Sequence, residues 1–413
     1  MENGVADKKP IVIIALITAV SLLGNEMLFI VMPIYWKFFG LTSLWQIGAL
    51  LSANRIIRLP INSLVGWCYQ NINKRTGLLI AVVIAVISTY SYGVLKGFWL
   101  LLAARILWGI AWSFLRLGGY LTVIACSDRK TRGHFMGLYN GLWGLGALFG
   151  MLIGGLFTEI VGIQTITTVF AILGVCSIPF VIRYVPNTIS GSEMNKQGQQ
   201  EQHSTIGVNR KKLVAVLLNG LLVAFVVYGI FSSTVSKVVE YQFGDNITFL
   251  TYTISVVAVA GVLQSIRMGM DPFLAPFFGK LSDQRFGRIP LLRFALLVGI
   301  ICLLIIPLKI PFIVFVLVIF IFQIVSTLLI TTSDSLAVDL SSDFSSVKTM
   351  TYYTLVLDLG SALGPLISYL VINFIGLRWL YWATGILLIC LLVFWSREYR
   401  QQRVNDNTFY SAS

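Results

Sequence analysis

Twelve apolar stretches, each long enough to cross a bilayer, set the terms on which this 413-residue chain can fold. A hydrocarbon core about 30 Å thick takes roughly 20 helical residues to span. Runs of that order lie near residues 11–39, 43–70, 76–96, 98–126, 132–159, 163–186, 212–242, 247–279, 289–310, 311–340, 346–375 and 378–398. Composition leaves no soluble alternative. Charged residues are 11% and hydrophobic residues 57% of the chain, and a soluble surface needs about 25% charged residues. The expected fold class is an all-α membrane protein with 12 transmembrane helices. The first run follows Lys8-Lys9, and no Ala-x-Ala-like site comes after it. It is read as a retained span rather than a cleaved leader.

Lys and Arg orient the chain, because cytoplasmic loops collect them. Of the 30 such residues, 20 fall on inner segments and five on outer ends when both termini are inside; the other five lie within spans. The net charge of +13 is therefore assigned to the membrane's inner face. No basic tract with interleaved aromatics suggests nucleic acid as a partner.

One polar stretch interrupts the pattern. Residues 187–211, with Gln-Gly-Gln-Gln-Glu-Gln-His at 197–203, read as a cytoplasmic linker. The expected domains are a six-helix bundle at 1–186, that linker, a second bundle at 212–398 and a cytoplasmic tail at 399–413. The bundles read as repeats. Gly66 answers Gly279 at an offset of 213, and Gly146 with Gly150 answers Gly360 with Gly364 at an offset of 214.

Several chemistries are excluded. Cys68, Cys126, Cys176, Cys302 and Cys390 lie in or beside apolar runs, far from one another. They suggest neither a disulfide framework nor a zinc site. His134 and His203 fall in polar connections, so no intramembrane His relay is available. No Gly-x-x-x-x-Gly-Lys-Ser/Thr motif points to ATP. No nucleophile–base or metal constellation suggests an enzyme. No metal and no cofactor is expected.

Five motif positions carry a family resemblance. The loop after the eighth run reads Gly279-Lys-Leu-Ser-Asp283-Gln-Arg285-Phe-Gly287-Arg288. It resembles the inter-helix signature of the major facilitator superfamily, Gly-x-x-x-Asp-Arg-x-Gly-Arg, with one residue inserted. The matching loop after the second run keeps Gly66, Lys74 and Arg75 and carries Gln70 where the acid would stand. Arg105-Ile-Leu-Trp108-Gly109 is similar to the family's Arg-x-x-x-Gly pattern in the fourth span. Gly146, Gly150, Gly154 and Gly155 resemble the glycine pattern of the antiporter branch, with Met151 in place of its proline. Gly360, Gly364 and Pro365 repeat the pattern with the proline present. The resemblance implies two pseudo-symmetric six-helix bundles and secondary transport by alternating access. It is closest to the proton-coupled efflux branch.

Charges within the spans mark candidate sites, because a mid-bilayer charge costs at least about 2.5–3.5 kcal/mol. Glu26, deep in the first span beside Asn25, is the first candidate for proton coupling, with Asp271 and Asp358 in reserve. Asp334 and Asp339 sit nearer the inner interface. Arg55 and Arg58 share a helical face, joined by Asn62, and Arg267 is spaced to pair with Asp271. Arg105 and Arg116, eleven residues apart, fall within about 20° of one line along the fourth span, with Trp108, Trp112 and Tyr120 nearby. That face, together with Arg55, Arg58, Asn62 and Arg267, is expected to line a substrate cavity. Five intramembrane Arg against fewer acids point to an anionic or amphiphilic cargo bound by Arg forks.

The expected function is proton-coupled export of a drug, metabolite or siderophore-like molecule, with proton-coupled uptake of an organic anion as the alternative. A non-transporting membrane receptor or enzyme is the reading from a different class. The expected setting is a bacterial plasma membrane, with a small-molecule substrate, protons and the lipid bilayer as partners and a monomeric assembly.

Overall fold

The computed structural model describes residues 8–127, 132–185, 187, 210–244, 246–249, 252–342 and 346–411. Nearly all of the expected linker lies outside these residues. The helices are α1 (Lys8–Val31), α2 (Leu44–Ile56), α3 (Arg58–Asn71), α4 (Lys74–Val94), α5 (Phe98–Ala125), α6 (Arg132–Val161) and α7 (Ile163–Tyr184). After the linker come α8 (Arg210–Ala224), a π-helical stretch (Phe225–Phe231) and α9 (Ser232–Phe243). Then come strands β1 (Asn246–Phe249) and β2 (Tyr252–Ser255), α10 (Val256–Leu281), α11 (Arg288–Ile305), α12 (Phe312–Ser342), α13 (Ser346–Phe374) and α14 (Leu377–Ser411). Counting α2 with α3, and α8 with α9, gives twelve spans.

Among the described residues, ten helices are long and apolar enough to cross a membrane. The other two spans are α2–α3 and α10. They hold Arg55, Arg58, Arg267 and Asp271, four of the charges that sequence placed inside the bilayer. The break at Ile57 leaves α2 and α3 each shorter than a full span, and in α10 Arg267 and Asp271 lower the hydropathy.

The second span is broken where a single helix was expected. Pro60 has no N–H for the carbonyl of Ile56, and its ring crowds that turn, so the helix is interrupted at Ile57. The eighth span begins later than expected. Strands Asn246–Phe249 and Tyr252–Ser255 pair antiparallel, with Ile247 opposite Ile254 and Thr248 opposite Thr253. The β-branched and aromatic residues there favour strands over a helix. The final helix continues to Ser411, through most of the expected tail.

Turns between spans use glycine where the backbone demands it. Gly162, at φ +82°, separates α6 from α7 without a loop. Gly287, at φ +78°, starts α11. Both angles are disfavoured for a residue with a Cβ.

The chain divides into two compact units. Residues 1–203 with 232–269 form the first, and residues 204–231 with 270–413 form the second. Within the first unit, α6 crosses the N-terminal half of α10 at glycines. A Cβ on Gly155 would lie 2.7 Å from the Cα of Gly261. Ser265 Oγ donates to the Leu148 carbonyl at 3.1 Å at the same crossing.

Candidate functional site

Glu26 is held by a short polar chain inside the first unit. Arg105 is fully buried on α5. Its Nε donates to the Leu50 carbonyl at 2.9 Å and its Nη1 to Asn25 Oδ1 at 2.6 Å. Asn54 Nδ2 donates to the same Oδ1 at 3.0 Å. Asn25 Nδ2 then donates to Glu26 Oε1 at 2.7 Å. A guanidinium has no acceptor, so the atom of Asn25 that faces Arg105 must be its oxygen. The amide nitrogen is thereby fixed toward Glu26. Arg55, Arg105 and Arg58 are the charged groups that act on the carboxyl. Glu26 is half-buried on α1.

The break in the second span serves this cluster. Arg58 Nε donates to the Asn54 carbonyl at 3.0 Å across the interruption. Gly109 lies against the same turn, where a Cβ would meet the Asn54 carbonyl oxygen at 2.5 Å. The Arg-x-x-x-Gly pattern of α5 thus has two physical jobs four residues apart. Arg105 holds Asn25, and Gly109 makes room for the broken helix. Arg55 lies 5.3 Å from the centre of the Phe29 ring, and Arg105 lies 5.9 Å from the same ring.

Farther along α5, Arg116 Nε donates to the Tyr120 hydroxyl at 3.3 Å. Trp112 meets Trp143 of α6 edge-on, with ring centroids 5.3 Å apart, and Trp143 Nε1 donates to Asn140 Oδ1 at 3.0 Å. Sequence reasoning missed Asn140 and Trp143. An Asn and a Trp three apart share a helical face, and that was the available signal in an otherwise apolar run. Trp108 is a different case. It is 1% exposed, so it packs inside the unit and presents no surface to a cavity in this structure. Asn62 is exposed on α3.

The remaining candidates have partners of their own. Arg267, buried on α10, donates from Nη1 to Ser232 Oγ at 2.8 Å. Asp271 accepts from the Thr327 hydroxyl. Asp334 accepts from the Tyr353 hydroxyl at 2.8 Å. The backbone carbonyl of Asp358 accepts from Ser361 Oγ at 3.0 Å.

The signature loop after α10 forms a clamp within the second unit. The extra residue is absorbed by a π-helical turn over Ser282–Phe286, a geometry that takes up one more residue than an α-turn. Arg288 faces Asp283 at 3.3 Å and Asp339 at 2.7 Å. It also donates to the Ser335 carbonyl. Asp339, ranked low from sequence, is the nearer carboxylate. Arg285 lies 5.5 Å from the Phe286 ring. In the first unit Lys74 is fully buried, and Arg75 Nε donates to the Val185 carbonyl at 3.0 Å, beyond the end of α7. Gly66 and Gly279 have open space beside them, so close packing does not explain either.

The glycine patterns do explain packing. A Cβ on Gly146 would lie 2.2 Å from the Ala19 carbonyl oxygen, and one on Gly150 would lie 2.6 Å from that of Leu23. Gly154 lies against Met27 in the same way. In the second unit, Gly360 sits on the Leu221 carbonyl and Gly364 on Gly229, inside the π-helical stretch. Pro365 follows in the interior of α13. The two glycine pairs therefore do the same work, each bringing a fifth helix onto the first helix of its half.

These features define a multi-pass helical membrane protein with a buried ionisable chain, and comparison with known proteins gives its family. Residues 14–270 and 257–409 each match the Major Facilitator Superfamily. The chain belongs to that superfamily, whose members are membrane transporters and not enzymes. The uncharacterized MFS-type transporter YcaD of Escherichia coli O45:K1 (strain S88 / ExPEC) is 23% identical over 267 residues, 63% of this chain and 64% of that protein. Its counterpart in Shigella sonnei (strain Ss046) is 22% identical over the same length. The match thus spans less than two thirds of these relatives. Among solved structures, a bacterial homolog to the human lysosomal transporter Spinster, inward-facing and occupied, aligns with a TM-score of 0.73 at 17% identity, covering 94% of this chain and 96% of that one. The nucleoside transporter NupG aligns with a TM-score of 0.73 at 13% identity, covering 94% and 99%. A POT family transporter in complex with 5-aminolevulinic acid aligns equally well at 11% identity, covering 94% of each chain. At such identities the likeness is one of fold.

Proposed function

We propose that the protein is a proton-coupled secondary transporter of small amphiphilic anions, working by alternating access. Its two six-helix halves are residues 1–186 and 212–398, joined by the 187–211 linker. It is a monomer in a bacterial plasma membrane, with both termini in the cytoplasm. The observation that carries the reading is the chain from Arg105 through Asn25 to Glu26. It places an ionisable carboxyl among three guanidinium groups within a membrane span. Asp271 and Asp358 are secondary proton carriers, and Arg267 is a further cation of the pathway.

Two directions of coupling rest on different observations. The Gly146 and Gly150 pattern favours export by proton antiport, of a drug, metabolite or siderophore-like molecule. The charge balance at Glu26 favours co-transport when the cargo is an anion. With Glu26 ionised, Arg55, Arg58 and Arg105 are partly compensated. Protonation removes that compensation and leaves a more positive site. By linkage, a proton and an anion then strengthen each other's binding, by about 5- to 150-fold for coupling of ordinary size. We rank co-transport first, because it rests on the coupling group itself.

The test is purified protein in proteoliposomes with a pH-sensitive dye inside. The panel holds anionic metabolites, siderophores and cationic drugs. Co-transport appears as proton movement in the same direction as an anion, lost in Glu26→Gln. Movement in opposite directions selects antiport. Full pH-driven transport by Glu26→Gln sinks the proton-coupling role.

A further inference from the structure

We infer that the groove between α1 and α7 is a binding site for an anionic phospholipid of the inner leaflet, with an acyl chain lying in the groove and the phosphate at its cationic end. Glu26 does not line this groove, and its occupation requires no transport. The groove holds about 270 Å³. Ile17 and Ser177 are buried at its floor, and Leu16, Leu173 and Phe180 stand exposed along its rim. Cys176 and Ser177 are short side chains on the α7 side, where longer ones would fill the space. Both helices are long and apolar enough to cross a membrane, so the open side of the groove meets hydrocarbon.

The lining selects a chain over a polar guest. Sites for small polar molecules bring several polar groups to bear on the ligand. Here Ser177 supplies the only hydroxyl among the lining residues. That hydroxyl already donates to the Gly174 carbonyl at 2.7 Å. The remaining surface offers apolar contact, which an acyl chain can use along its length.

The end of the groove supplies charge. As the first and sixth spans, α1 and α7 run antiparallel. Lys9 lies four residues before Ile13, and Arg183 lies three after Phe180. Ile13 and Phe180 both line the groove, and residues at these spacings are neighbours on a helix. Lys9 and Arg183 are exposed and stand at the same end, the cytoplasmic one in the orientation proposed above. Tyr184 stacks on Phe180 at 16°, and Arg183 lies 5.9 Å from the Tyr184 ring. The guanidinium is thus carried beside an aromatic step that leads out of the groove. No Asp or Glu occurs from Lys8 to Asn25 or in α7. An apolar groove between spanning helices with a basic inner end matches a lipid with an anionic head group.

Two other occupants fit less well. A neutral phospholipid fills the groove but brings no net charge to Lys9 and Arg183. A second copy of the chain, packed here about a two-fold axis normal to the bilayer, would bring like cations together. These helix segments hold no acid to offset that repulsion.

The experiment is titration of the full-length protein in neutral detergent with dioleoyl phosphatidylglycerol or dioleoyl phosphatidylcholine, read by native mass spectrometry. Phosphatidylglycerol is expected to bind in one tight step. Its preference over phosphatidylcholine should be roughly fivefold for each cation. The double variant Lys9→Gln, Arg183→Gln should lose that preference. Cys176→Trp, which fills the groove, should abolish the tight step for both lipids. Ile160→Trp, at a position 75% exposed on α6, should leave it unchanged. Equal affinity for the two lipids, a preference untouched in the double variant, or a tight step that survives Cys176→Trp would overturn the inference. A dimer that Cys176→Trp dissociates would also overturn it, by placing a second copy on the groove. Lys9 and Arg183 are exposed, so the double variant tests the head-group claim even where Cys176→Trp misfolds.

Discussion

Asn25 fixes which oxygen of Glu26 meets a hydrogen-bond donor. Its amide nitrogen, turned toward Oε1 by the demands of Arg105, reserves that oxygen as an acceptor. The coupling proton proposed above would sit on Oε2. Removing Asn25 strips the acceptor from two buried donors, Arg105 Nη1 and Asn54 Nδ2. Asn25→Leu is expected to destabilise the protein by about 1–3 kcal/mol or more, measured as a lowered unfolding midpoint of the purified protein. An unchanged midpoint would show that the amide is not needed. At this scale the sequence was informative about charge and poor about partners. Glu26 and Arg105 stood out because ions are rare in apolar runs. Asn25 entered only as a neighbour, because its role depends on a helix 80 positions away. Asp339 was discounted because depth alone was weighed, and the partner across the loop, Arg288, does not show in spacing.

Helix contacts separate glycines that must be glycine from those that need not be. Gly146 has backbone of α1 within 2.2 Å of where a Cβ would stand, whereas Gly66 has open space. Gly146→Ala is expected to cost about 1–3 kcal/mol through forced separation of α1 and α6. Gly66→Ala should fall within about 0.5 kcal/mol of wild type. Parallel thermal unfolding of the two variants checks this, and equal effects would refute the packing argument. Span positions were legible because apolar length is a direct requirement of the bilayer. The interruption at Ile57 was legible in principle, since Pro60 announces it. The π-helical stretch at Phe225–Phe231 was not, because its sequence is ordinary and its glycine is explained only by Gly364 on another helix. The paired strands Asn246–Phe249 and Tyr252–Ser255 were absorbed into a span because their residues are apolar as well as β-forming.

The repeat is a property of the whole chain, and it was visible as two nearly equal glycine offsets before any helix was placed. Orientation belongs to this scale too. The inner excess of Lys and Arg predicts that both ends face the cytoplasm. A fluorescent protein fused after Ser413 should therefore mature, and an alkaline phosphatase fused there should stay inactive. The opposite pair of results would invert the topology. Cargo was not legible, since motifs shared across a superfamily position helices and leave the cavity wall free to vary. The claim on which everything else depends is that protonation of Glu26 and binding of the cargo are linked. It is tested most directly by measuring equilibrium affinity for the transported anion at alkaline and acidic pH in wild type and in Glu26→Gln. Wild-type affinity is expected to rise by about 5- to 150-fold on acidification, with Glu26→Gln binding at the acidic-pH affinity throughout. Affinity that falls on acidification, or a Glu26→Gln protein that keeps the wild-type pH dependence, would contradict it.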